Sequence, residues 1–145
     1  MNALEQLKIG ILSHSAEETK SIAYRLGESL EGNQTILLDG DLGTGKTTFV
    51  RGLAESCGIT QPITSPSYNI FNYYQGVRCN LIHVDAYRLD KDSQLADLLL
   101  EDFMIPPCIL AVEWPKNFAL FQSPQALHLT LKIISEGNHF IQLRV

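Results

Sequence analysis

Residues 40 to 48 read Gly-Asp-Leu-Gly-Thr-Gly-Lys-Thr-Thr, which satisfies the spacing G-x-x-x-x-G-K-[ST] of a phosphate-binding loop. Gly40, Gly43 and Gly45 can take backbone conformations closed to other residues, so successive N–H groups can converge on the oxygens of a polyphosphate. Lys46 adds a point charge for the β- and γ-phosphates. Thr47 adds a hydroxyl ligand for Mg²⁺, and the helix that starts here aims its positive dipole end at the anion. The ligand pair implied is a nucleoside triphosphate with Mg²⁺. The flanks agree with the motif: Thr35-Ile36-Leu37-Leu38 reads as a buried parallel strand, and Phe49, Val50, Leu53 and Ala54 follow helical spacing. Asp41 is the odd member. A carboxylate inside a phosphate-binding loop repels its ligand at short range, so its side chain is expected to point outward.

Such a loop hydrolyses nothing unaided, because it needs a carboxylate near the metal and a group that orients or deprotonates the attacking water. Asp85 and Glu113 are the candidates. Each closes an apolar run, Leu81-Ile82-His83-Val84 and Cys108-Ile109-Leu110-Ala111-Val112, and the carboxyl ends of strands in open α/β sheets face the ligand crevice. Ser65 and Ser67 form either a switch-like loop over the γ-phosphate or a turn whose hydroxyls cap local backbone. Arg88 either neutralises charge on the transferring phosphoryl group, reaches a partner, or pairs with a neighbouring acid. His83 shares a strand face with Asp85 and is expected to be packed in the core with a satisfied ring nitrogen. His14, His128 and His139 lack metal-ligand spacing. Tyr68, Tyr73 and Tyr74 are expected to pack the sheet or an interface rather than stack bases, since Lys and Arg do not surround them.

The elements that must hold these residues alternate between strand and helix. An opening strand is predicted near Lys8 to Leu12, then a helix whose capping box is Ser15 with Glu18, whose stripe is Ile22, Ala23, Leu26 and Leu30, and which Gly32 ends. The phosphate-loop helix runs from about Lys46 to Cys57 with Gly58 as its stop. Residues 67 to 85 read as a hairpin turning at Gln75-Gly76, an acidic leucine-rich helix lies around Ser93 to Phe103, and Cys108 to Glu113 is a buried strand followed by Trp114-Pro115. A last hairpin joins Leu127–Ile134 to His139–Val145 through Glu136-Gly137-Asn138. The fold class is therefore α/β, a P-loop NTPase-like mixed β-sheet flanked by helices, with antiparallel hairpins, over a single domain 1–145.

The 145 residues are 45% hydrophobic and suffice for one core. Net charge is −5 and the eleven basic residues are scattered, so direct tight binding to tRNA or DNA is disfavoured. Met1-Asn2-Ala3-Leu4-Glu5 lacks the basic-then-apolar pattern of a signal peptide and no apolar run is long enough to span a bilayer, which points to a cytoplasmic protein without membrane attachment. Cys57, Cys79 and Cys108 are odd in number and far apart, and are expected as reduced, buried thiols.

Four blocks, Gly40 to Phe49, Ser65-Pro66-Ser67-Tyr68, His83-Val84-Asp85-Ala86-Tyr87-Arg88-Leu89 and Glu113-Trp114-Pro115, together resemble the TsaE (YjeE) family in order and approximate spacing. That resemblance implies an ATPase that binds the TsaD and TsaB proteins and supports threonylcarbamoyl modification of adenosine in tRNA, touching tRNA only through the complex. It also implies roles: Lys46 on the β- and γ-phosphates, Thr47 and Glu113 on Mg²⁺, Asp85 near the attacking water, and nucleotide contacts from Asp41, Leu42, Gly43, Thr44, Gly45, Lys46, Thr47 and Thr48. Residues around Ser13 to Ala16, Ser15 among them, are the expected adenine contacts. Ser67 stands where the family usually has Thr, Ala86 where Leu is common, and Asn138 where many relatives place Arg after a turn glycine. Two other classes fit a phosphate loop: a small-molecule P-loop kinase, disfavoured because Asp90 to Asp102 carries no lid arginine, and a nucleotide-dependent binding switch without significant turnover.

Overall fold

A computed structural model of the chain describes residues 1–66 and 69–144. Seven strands form one mixed sheet in the order β1-β7-β6-β2-β5-β4-β3. Its centre is parallel: β2 (Asn33–Asp39) lies between β5 (Cys108–Glu113) and β6 (Leu127–Ser135), and β4 (Asn80–Asp85) lies beyond β5. Antiparallel partners finish each side, β3 (Phe71–Tyr74) on β4, and β7 (Asn138–Leu143) on β6 with the short β1 (Ile11–Ser13) outside it. This is the expected architecture, and the hairpin begins at Phe71; Ser67 and Tyr68 lie outside the described residues.

The two faces are covered differently. On one, α2 (Ala16–Ser29) and α3 (Lys46–Cys57) pack Ile22, Ala23, Leu26, Phe49, Val50 and Leu53 against Ile36, Leu38, Leu81, Ile109 and Ala111. On the other, Leu37, Ile82, Val84, Leu110 and Val112 are covered by Leu89, Leu95, Leu100, Phe118 and Phe121 from loops and short helical turns. Helices α2 and α3 approach closely because Gly52 sits where a Cβ would lie 2.3 Å from the Lys20 carbonyl oxygen. Among the described residues no helix is long and apolar enough to cross a membrane.

Three expectations are corrected. The opening strand expected near Lys8 to Leu12 is shorter and later, β1 (Ile11–Ser13), because a helix that was not expected, α1 (Ala3–Ile9), takes its first residues: Asn2 caps it by accepting from the Glu5 amide at 2.8 Å, Leu7 is buried, and Gly10, at φ 107°, stops it. The single helix expected around Ser93 to Phe103 is α4 (Asp92–Ala96) and a 3₁₀ turn (Leu100–Asp102), broken at Leu99, whose φ is 53°. A continuous helix would put Leu99 over Leu95, whereas the break buries Leu100 and leaves Leu99 outside. Finally, Cys57 and Cys79 form a disulfide instead of standing reduced. The end of α3 accepts hydrogen bonds from the amides of Arg78 and Cys79 at the Cys57 carbonyl, which sets their Cα atoms 4.8 Å apart, a tertiary approach that spacing along the chain does not reveal. Cys108 remains free, its thiol pushed up to about 11 by burial.

Candidate nucleotide and metal site

β2 ends at Asp39 and hands the chain to the loop that opens α3. Gly43 (φ 81°) and Gly45 (φ 103°) take left-handed conformations, and Gly45 is the N-cap of α3. At Gly40 a Cβ would stand 2.6 Å from both the Leu131 carbonyl and the Thr44 hydroxyl, so the loop starts where no side chain fits. The Asp41 carbonyl accepts from the Thr44 hydroxyl at 2.9 Å and from the Lys46 amine at 3.0 Å, while its side chain is exposed, as expected. Lys46 also donates to the Gly40 carbonyl and lies 4.0 Å from the centre of the Trp114 ring. Its amine is buried, which lowers its pKa below the ordinary lysine value; Glu113, Asp85, Asp41 and Asp39 oppose that shift by attraction.

The two acids end neighbouring parallel strands, and the register pairs Asp85 with Glu113 directly. Glu113 is 4% exposed. Its Oε2 accepts from the Thr47 hydroxyl at 2.9 Å and from His83 Nε2 at 2.5 Å, and Oε1 stands 3.2 Å from the same hydroxyl. Asp85 is less enclosed: Oδ1 accepts from the Tyr87 amide at 3.0 Å, and Oδ2 from the Ser65 hydroxyl at 3.4 Å. The β5 strand turns sharply after Glu113, where Trp114 takes φ 57° and its ring meets Tyr87 edge-on at 5.1 Å. Lys116 ties down the opposite side by donating to the carbonyls of Tyr87 (2.8 Å) and Leu89.

One cavity of about 500 Å³ gathers these groups at the carboxyl ends of the parallel strands. Of the sequence candidates, Leu42, Gly43, Gly45, Lys46, Thr47, Thr48, Ser15, Asp85 and Glu113 line it, with Ser65 and Trp114. Asp41 and Thr44 support the loop from behind. Arg88 lies outside it, in an adjoining groove with Tyr87, Ile70 and Leu42.

Sequence reasoning missed part of the far end. His14 and Ala16, within the expected stretch Ser13 to Ala16, line the cavity, but so do Thr19, Gly137 and His139, which were not singled out for it. His139 Nδ1 donates to the Thr44 carbonyl at 2.5 Å, so the last hairpin braces the phosphate loop, and Asn138 meets His14 Nδ1 at 2.8 Å. The turn at residues 136–138 was legible as a turn; that it reaches the loop is a product of β6 pairing with β2.

These features define an α/β protein of the P-loop NTPase-like class, with two strand-end acids beside the loop. A family model described as threonylcarbamoyl adenosine biosynthesis protein TsaE matches residues 13–141. The tRNA threonylcarbamoyladenosine biosynthesis protein TsaE of Aquifex aeolicus is 33% identical over 142 residues, covering 97% of this chain and 98% of that protein. That of a Nostoc species is 43% identical over 104 residues, which are 70% of this chain and 64% of the Nostoc protein. The crystal structure of YdiB from Bacillus subtilis matches the fold with a TM-score of 0.72 at 30% identity, covering 92% of this chain and 82% of that one. The chain belongs to the TsaE family of tRNA threonylcarbamoyladenosine biosynthesis proteins.

Proposed function

We propose that this chain is a cytoplasmic, magnesium-dependent ATPase that acts with TsaD and TsaB in threonylcarbamoyl modification of tRNA adenosine, contacting tRNA only through that complex. The observation that carries the reading is the convergence of a phosphate loop, the Thr47–Glu113 oxygen pair and Asp85 on one cavity. A hydroxyl and a carboxylate already in contact form a hard, oxygen-only donor set, which suits Mg²⁺. Thr47 and Glu113 would hold the ion, which supplies charge neutralisation at the transferring phosphoryl group.

The chain's own residues do the rest. Main-chain N–H groups at the start of α3 and the Lys46 amine bind the phosphates of ATP. Asp85, fixed by the Tyr87 amide, orients a water for attack on the γ-phosphorus and takes its proton, while the β–γ bridging oxygen leaves with ADP. Trp114 and Tyr87 cover the loop from one side and limit water access. Little positive charge is available to this transition state beyond Lys46 and the metal, so the isolated chain turns over slowly. Leu42, Tyr87 and Arg88 form an exposed rim beside the γ-phosphate end that a second protein can close.

The test is the rate of ATP hydrolysis with and without TsaD and TsaB. Turnover rises when both are present, and Arg88→Ala blunts that rise more than it changes ATP affinity. Fast hydrolysis by the chain alone, indifferent to both proteins, would overturn the proposal. A phosphorylated small-molecule product would favour the kinase reading instead.

A further inference from the structure

His83 is the most deeply enclosed polar side chain of the site, fully buried on β4 with Ala111 of β5 as its register partner. It does not line the cavity. Its Nε2 lies 2.5 Å from Glu113 Oε2, and its Nδ1 is without a hydrogen-bond partner among the described residues. Buried polar nitrogens are normally paired, so a ring held this way needs a reason. Packing alone gives none, since a leucine would fill the space without an orphaned nitrogen.

A carboxylate can only accept, so in this contact Nε2 of the ring carries a proton. Oε2 then receives two donors, the Thr47 hydroxyl and the His83 ring, while Oε1 has only the longer 3.2 Å contact. The carboxylate plane is thereby fixed, with its less engaged oxygen available to a ligand. Hydrogen-bonded partners behind a metal-binding carboxylate commonly set ligand geometry and affinity.

We propose that His83 is a positioning residue that orients the Glu113 carboxylate for Mg²⁺ through an Nε2–H donor. The inference rests on the reading of Glu113 as a magnesium ligand given above. His83 touches neither nucleotide nor metal, and its effect passes entirely through Glu113.

Side-chain length provides the test. The amide nitrogen of Gln reaches the place of the His Nε2, whereas that of Asn reaches only the place of Nδ1. ADP binding to the full chain is measured by calorimetry at graded MgCl₂, after circular dichroism has confirmed that each variant is folded. His83→Leu and His83→Asn raise the magnesium concentration required by about 10-fold, the low end of what losing such a partner costs, and His83→Gln restores most of it. Unchanged magnesium dependence in His83→Leu, or equal loss in the Gln and Asn variants, overturns the inference. Glu113→Gln is the control: if it too leaves the dependence unchanged, the failure lies in the reading of Glu113 rather than in His83 alone. The wild-type protein gives a readout independent of folding, because two-bond ¹H–¹⁵N correlations on histidine-labelled chain report the tautomer. The proton on Nε2 is expected, and the proton on Nδ1 overturns the inference.

Discussion

Asp85 and Glu113 are direct register partners on neighbouring strands and both are acids, yet their surroundings make their amide variants fail differently. Glu113→Gln converts charge-assisted hydrogen bonds, each contributing about 1.5–3 kcal/mol, into neutral ones of about 0.5–1.5 kcal/mol. Two donors, Thr47 and His83, are affected, so the fold loses about 2 kcal/mol. The Gln oxygen must still face the His83 ring, which leaves its NH₂ toward Thr47, whose hydroxyl can accept. Asp85→Asn is milder. The Tyr87 amide keeps its acceptor, the Ser65 contact at 3.4 Å was already long, and stability should change by no more than about 0.5 kcal/mol. Magnesium-dependent ATP affinity should therefore fall in Glu113→Gln and hold in Asp85→Asn, while single-turnover hydrolysis with TsaD and TsaB present falls about 10²- to 10⁴-fold in Asp85→Asn, as expected for a lost general base. Calorimetric titration at graded MgCl₂ and quenched-flow hydrolysis measure the two quantities. Equal losses of affinity in both variants would refute the division of roles.

Trp114 touches the Lys46 amine, so its emission should shift when Mg-ATP displaces that contact, and Lys46→Ala should abolish the shift; a steady spectrum under independently measured binding contradicts this. Gly52→Ala should destabilise the domain by about 1–3 kcal/mol, read as a lower thermal midpoint, because the new methyl meets the Lys20 carbonyl at 2.3 Å and the Ala23 Cβ at 2.6 Å. For Lys46 the folded pKa lies below the unfolded value near 10.5, so between the two the unfolded chain holds the extra proton. Unfolding free energy should rise with pH across that window, and Lys46→Met should lack the rise in urea titrations at graded pH up to about 10.5.

The groups that could do chemistry were legible because each carries a local signal. The phosphate loop is a contiguous motif whose glycines and lysine have little other use at that spacing. Glu113 ends a fully buried strand whose bounds, Cys108–Glu113, coincide with the apolar run, and α3 begins and ends where Lys46 and Gly58 say it should. Those features depend on near neighbours in the chain. What depends on distant ones was decided only by the tertiary structure. The opening segment carries apolar residues compatible with either period, and Ala3–Ile9 is a helix ahead of the short β1 because Leu7 reaches the core shared with Ile141. The helix expected around Ser93 to Phe103 breaks because burying both Leu95 and Leu100 outweighs local propensity. Cys57 at the end of α3 meets Cys79 just before β4, His139 braces Thr44 across 95 positions, and His83 finds Glu113 across 30, each because segments far apart in the chain become neighbours in the fold. Strand order is a long-range choice, paid in loop entropy and repaid by burial, and no window of sequence contains both sides of that balance.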